Sequence, residues 1–209
     1  MNYNDKQLQI METAEMLFAN KGFDGTSVRD IAEVANINVA MISYYFGSKE
    51  KLMEAIFELK IGRVQVRVES LIKDNTLTPL QKVETLIDEH IDRMTQSENF
   101  YKIMLCEQIT NKNPEIIQKV TQLKIRNAEL VAELIKDGQA KGEFKKDIDI
   151  VLMLNSMIGT VWQTIMMKQY YREFNNLQSL TDEAYKQLIK DKLSTHIKTL
   201  FKAILTHEA

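Results

Sequence analysis

The chain has 209 residues and a mass of 24.3 kDa, with 44% hydrophobic and 27% charged residues, a net charge of −2 and a pI near 6.0. That is room for one medium domain or a small domain joined to a larger one, and the composition is that of a globular rather than a disordered chain. Seven glycines and two prolines are too few to punctuate a many-stranded sheet, and the single cysteine, Cys106, excludes an internal disulfide or a cysteine-ligated zinc.

No basic segment leads into an apolar run at the N-terminus, and no stretch approaches the roughly 18 apolar residues of a membrane span, so a cytoplasmic location without a membrane partner is expected. Periodicity predicts an all-α chain of about nine helices. Residues 6–20 place Leu8, Met11, Ala14, Leu17 and Phe18 on one stripe that ends at Lys21-Gly22, with Gly22 suited to a left-handed cap. A short helix over 28–34 follows Ser27, which forms a capping box with Asp30; another over 39–45 is capped by Asn38. Ser48 opens a long helix over 49–73. Thr78-Pro79-Leu80-Gln81 combines a capping threonine, proline at the first helical position and glutamine at the third, and starts a helix to 96. Phe100 to Thr110 is a shorter helix. Asn113-Pro114 starts one that runs to Lys136, where Gly138 and Gly142 break the pattern. Asp147 or Asp149 caps an apolar helix to 174, and Thr181 opens the last, to 206. Short helices give way to long ones within 49–78, which divides the chain into 1–50 and 51–209.

Residues 28–45 have the features of two short helices crossing steeply at a tight turn. Ala32 is small enough to let the second helix approach, and Asn36, which tolerates positive φ, makes the turn. Ile31, Ala35, Ile37 and Ile42 supply the interior. In a helix-turn-helix the second helix lies in a DNA major groove, and its outward positions here are Val39, Ala40, Met41, Ser43 and Tyr44. Such a face is fitted to thymine methyls and groove shape. Thr26, Ser27, Tyr45 and Lys49 flank it as candidates for phosphate contacts. Two amphipathic helices of an ordinary all-α core have the same pattern. The first fifty residues carry four basic side chains against seven acidic ones, which does not favour DNA.

Gly22-Phe23, Thr26-Ser27, Ile31-Ala32, Tyr44-Tyr45-Phe46 and Ser48-Lys49-Glu50-x-Leu52, at these offsets, resemble the signature of TetR-family transcriptional regulators. The resemblance covers residues 8–56. It implies a small N-terminal DNA-binding domain on a larger helical domain that dimerises and binds an inducer. It also implies that Val39, Ala40, Met41, Ser43 and Tyr44 face bases, and that Thr26, Ser27, Tyr45 and Lys49 hold phosphates. Arg29 stands where some members place an arginine that reaches a base or the backbone. Asn36 replaces the usual turn glycine, and Ala40 and Ser43 stand where glycine and tyrosine are frequent, so base preferences do not transfer from relatives.

The helix over 149–174 is apolar nearly all round and must be buried on more than one side. The last helix has its own stripe, from Tyr185 through Leu193 to Ile204. The resemblance implies that these two helices pair with their symmetry mates, making Val161, Ile165, Ile189, Ile197, Leu200, Phe201 and Ile204 candidates for a homodimer interface; burial in a monomeric core is the alternative. Met104, Met153, Met157 and Met166, with Phe100, Tyr101 and Trp162, are candidates for a flexible apolar cavity that takes a small hydrophobic or aromatic ligand, although methionine also serves as core filler.

Little else carries chemistry. His90, His196 and His207 lack metal-ligand spacing, so no metal is expected, and His90 among Asp88, Glu89 and Asp92 reads as part of a solvated face. Cys106, in YKIMLCEQI, reads as buried and inert. With no phosphate loop, nucleophile elbow or catalytic carboxylate pair, neither an enzyme nor a cofactor is expected. The expected molecule is a homodimeric regulator, a repressor released from a palindromic double-stranded DNA operator by its ligand. A ligand-binding or scaffold protein of the same fold without transcriptional DNA binding is the alternative.

Overall fold

The computed structural model describes residues 3–206; His207 lies outside them. The described residues form ten α-helices and no strand: α1 Asp5–Lys21, α2 Val28–Val34, α3 Val39–Phe46, α4 Lys49–Ile72, α5 Pro79–Gln96, α6 Glu98–Thr110, α7 Pro114–Ala140, α8 Ile150–Met166, α9 Lys168–Phe174 and α10 Asp182–Leu205. They divide into two compact units. One takes the chain up to Val66 together with Asn99–Leu123; the other takes Arg67–Glu98 and the chain from Lys124 onward.

In the first unit, α1 starts in a capping box, Asn4 accepting from the Gln7 amide and the Gln7 side chain accepting from Asn4 N–H. Its stripe of Ile10, Met11, Ala14, Leu17 and Phe18 is buried against Ile31, Ala32 and Ile42 of the two short helices and Leu52, Met53, Ile56 and Phe57 of α4. Burying each of the larger of these side chains stabilises the unit by about 1.5–3 kcal/mol. The same core takes Phe100 and Ile103 from α6 and Ile116 and Val120 from α7, with the Phe57 and Phe100 rings 5.0 Å apart. Ion pairs tie its rim: Lys60 with Glu15 at 3.1 Å, Lys119 with Glu58 at 2.6 Å, and Lys112 with Asp24.

The second unit is built on three stripes. Val83, Ile87, Ile91 and Met94 of α5, Met153, Met157, Val161 and Ile165 of α8, and Tyr185, Ile189, Leu193, Ile197, Phe201 and Leu205 of α10 repeat every three or four residues and pack together. Outside this apolar seam, Asp88 accepts from both Ser194 and Lys198 at 2.6 Å, and Lys190 meets Asp92 at 2.5 Å. No single described helix is long and apolar enough to cross a membrane.

Several expectations are corrected here. The apolar helix over 149–174 is two helices, broken at Met167 (φ −101°, ψ 38°) with a 78° bend. The Tyr185 hydroxyl donates to the Lys168 carbonyl at 3.4 Å, and Arg172 stacks on the Tyr185 ring while donating to Asp182, so α9 is held to the start of α10. Of the two candidate caps for α8, Asp149 accepts from Leu152 N–H; Asp147 adopts positive φ (60°). Gly138 does not break α7, which runs on to Ala140; the Phe144 ring occupies the space beside it, and a Cβ there would lie 2.1 Å from a ring carbon. Cys106 is exposed rather than buried. His90 is half-buried rather than solvated, and burial, helped by the neighbouring Arg93 charge, pushes its pKa down to about 4.

Candidate nucleic-acid interface

The turn between α2 and α3 follows from residues 31–38. Ser27 and Asp30 cap α2 reciprocally, the Ser27 N–H and hydroxyl both donating to Asp30 at 2.7 Å. Those hydrogen bonds hold the Asp30 carboxyl below its ordinary pKa. At the other end Asn36 sits at φ 51° and its N–H reaches Glu33 O at 3.1 Å, while Ile37 N–H reaches Ala32 O at 3.0 Å. This pair of bonds around a left-handed residue is a Schellman closure made with asparagine instead of glycine. Gln9 of α1 donates to Ala35 O at 2.9 Å and fastens the turn from outside. Asn38 then accepts from Ala40 N–H, which starts α3.

Ile42 is the fully buried anchor of α3. Opposite it, Val39, Ala40, Ser43 and Tyr44 are exposed and Met41 is half-buried; Tyr44 is 82% exposed, its ring edge-on to Tyr45. Arg29, on α2, is exposed as well. The structure therefore brings five of the six expected base-facing residues onto one short helix.

The four expected phosphate contacts fare differently. Thr26 is 1% exposed, and its hydroxyl donates to Gly22 O at 2.9 Å. The Ser27 hydroxyl is engaged by Asp30. Lys49 donates to the carbonyls of Phe23 and Thr26 at 2.8 and 2.9 Å and lies 4.1 Å over the Phe23 ring. These three side chains hold the loop between α1 and α2. Tyr45 is half-buried against the unit's core.

The expected dimer contacts fall into two groups. Val161, Ile165, Ile189, Ile197 and Phe201 are buried within their own chain, and only Leu200 and Ile204 are partly accessible. An apolar stripe announces burial without saying what covers it, and here α5 does. The large apolar side chains left outward on α8 are Val151 (57% exposed) and Leu152 (64%). The expected ligand-pocket residues fall in both units: Phe100, Tyr101 and Met104 in the first, Met153, Met157, Trp162 and Met166 in the second. A small cleft in the second unit, between Thr95, Ile165, Lys168 and Tyr185, includes none of the seven. Elsewhere in the second unit sequence reasoning missed a polar group: Glu89 is shared by Arg67 (2.5 Å) and Arg93 (3.5 Å). Among the described residues no cluster of His, Cys, Asp and Glu is arranged to hold a metal ion.

Known proteins match over the whole of this arrangement. The chain is 26% identical over 160 residues to the fatty acid metabolism regulator protein of Bacillus subtilis, spanning 77% of this chain and 81% of that one. It is 22% identical over 172 residues to the HTH-type transcriptional repressor KstR2 of Mycobacterium tuberculosis, spanning 81% and 82%. The solved structure of that organism's ketosteroid regulator KstR2 superposes with a TM-score of 0.75 at 20% identity, over 99% of this chain and 98% of that one. FadR of Bacillus subtilis, solved in complex with stearoyl-CoA, gives 0.65 at 22% identity over 92% and 97%. The family model described as "Bacterial regulatory proteins, tetR family" matches residues 10–56, and the one described as "YsiA-like protein, C-terminal region" matches residues 57–204. Matched in both regions, the chain belongs to the TetR family of bacterial regulatory proteins.

Proposed function

We propose that the protein is a transcriptional repressor that binds a palindromic operator as a two-fold dimer and is released by a large apolar ligand. The observation that carries this reading is α3, which buries only Ile42 and turns Val39, Ala40, Ser43 and Tyr44 to solvent on an otherwise packed unit. A helix with so little inward anchorage is held for what its outer face meets. Arg29 and the Tyr45 hydroxyl are the side chains left to meet the DNA backbone, since Thr26, Ser27 and Lys49 are engaged internally. DNA binding belongs to the α1–α3 region expected at 1–50, and ligand binding and dimerisation to the remainder. The dimer surface is the outward side of α8 and α10, with Val151, Leu152, Leu200 and Ile204. Two-fold pairing would place the two α3 helices in successive major grooves.

The ligand reading rests on relatives and on one orphaned atom. The FadR structure holds stearoyl-CoA and KstR2 is named for ketosteroids; each of these molecules has a bulky apolar part. In this chain the buried Met153 and Met157 adapt readily to such shapes, and the Trp162 indole N–H is buried without an acceptor, a donor that a ligand carbonyl would satisfy. A ligand acts by binding better to a conformer whose two α3 helices no longer fit the operator.

The test is selection from a randomised duplex pool at two salt concentrations. Enrichment of a palindrome whose affinity falls steeply with salt is expected. Failure of the ligand-free dimer to enrich any sequence at low salt would overturn the reading.

A further inference from the structure

Within the DNA-binding reading, which this inference rests on, the surface of α3 narrows what the operator must offer. No residue from Val39 to Phe46 carries a guanidinium, ammonium, carboxylate or carboxamide. The bidentate pairings that read guanine through O6 and N7, or adenine through N6 and N7, are therefore unavailable to this helix. The carboxamide just before it is used as well, the Asn38 oxygen accepting from Ala40 N–H. What α3 presents instead is apolar: the Val39 side chain at 40% exposure, the Ala40 methyl, and the Tyr44 ring at 82%. Positions 39 and 43, and 40 and 44, each lie one turn apart, so these groups form a band two residues wide opposite Ile42. The one apolar feature that a B-DNA major groove offers is the 5-methyl group of thymine.

We infer that α3 reads its operator chiefly through thymine 5-methyl groups packed against Val39, Ala40 and the ring of Tyr44, so that the half-site is defined by where thymines stand on each strand rather than by guanine contacts. Ser43 and the Tyr44 hydroxyl contribute single hydrogen bonds that do not discriminate among bases on their own. Arg29 belongs to α2 and lies outside this band.

The experiment uses the full-length protein and the duplex enriched from the randomised pool, resynthesised in three forms: unmodified, with every half-site thymine replaced by deoxyuridine, and with every half-site purine replaced by its 7-deaza analogue. Deoxyuridine removes only the methyl, and its loss should weaken binding by about fourfold per contacted thymine. The 7-deaza duplex, which lacks the N7 acceptors, should bind within about threefold of the unmodified one. In Val39→Ala the penalty for deoxyuridine should shrink, whereas Tyr44→Phe, which keeps the ring, should preserve it. A deoxyuridine duplex that binds as well as the unmodified one overturns the inference and leaves the DNA-binding reading standing. A larger loss with 7-deaza purines than with deoxyuridine also overturns it, in favour of hydrogen-bond readout. No binding of the unmodified duplex overturns both.

Discussion

The Lys49 ammonium lies 4.1 Å above the ring of Phe23 and donates to that same residue's carbonyl at 2.8 Å. With the second bond to Thr26 O, one cation closes the loop that joins α1 to α2. A lysine held this way orders the loop rather than neutralising a phosphate.

Lys49→Gln should therefore lower stability by about 1.5–3 kcal/mol, the scale of hydrogen bonds to a charged group, read as a shift of the urea midpoint. The salt dependence of operator binding should keep its slope. Had Lys49 been a phosphate contact, the slope would fall by about one for each lysine removed.

Asn36 closes α2 at φ 51°, where a side chain with a Cβ is strained and glycine is not. Asn36→Gly should leave stability unchanged or raised by a few tenths of a kcal/mol, and Asn36→Ala should cost about 1 kcal/mol. Chemical denaturation of the two variants side by side decides it; equal stabilities would mean that the turn does not depend on the left-handed conformation.

For His90 the sign follows from its depressed pKa. The unfolded imidazole titrates near 6.5 and the folded one at about 4, so between those values the unfolded chain holds more protons. Stability is then full above about pH 6.5 and falls as the pH drops toward 4, by on the order of 3 kcal/mol for this one group. His90→Gln should flatten that part of the acid limb of a urea-midpoint profile measured from pH 7 to 4; an unchanged limb would place the effect elsewhere.

Gly138→Ala should be among the most damaging single-methyl changes in the chain. The added carbon would stand 2.1 Å from the Phe144 ring, which is itself buried at 4% exposure. Overpacking of this kind costs about 1–3 kcal/mol. Pairing it with Phe144→Leu, which vacates the space, should recover part of the loss in thermal denaturation. Additive losses would show that the two positions are not in conflict.

What could be read along the chain was mostly local. The Ser27–Asp30 and Thr78–Gln81 capping boxes, the Asn38 cap and the Asn36 turn all depend on residues within five positions of each other, and all four are in place. The outward face of α3 was legible because burying Ile42 fixes the phase of the whole helix. Matters decided by distant partners were not. Lys49 finds carbonyls 23 and 26 residues away, the break at Met167 is held by Tyr185, and the stripes of α8 and α10 meet α5 instead of facing outward. Gly138 shows the limit sharply: glycine suits both a helix end and a close approach, and only the position of Phe144 tells which it serves here.

The sharing of the first unit's core with Phe100, Ile103, Ile116 and Val120 bears on whether the helix-turn-helix can be separated from the rest of the chain. The family pattern for that region ends at residue 56, next to Phe57, whose ring packs on Phe100. A fragment cut there would carry an open apolar face and lack the ion pair that Lys112 brings back to Asp24. The homology boundary is thus not a folding boundary. Transplanting the first 56 residues onto another body would transfer a recognition surface without the scaffold that keeps it in shape; an exchange that respects the physics would carry residues 99–123 along.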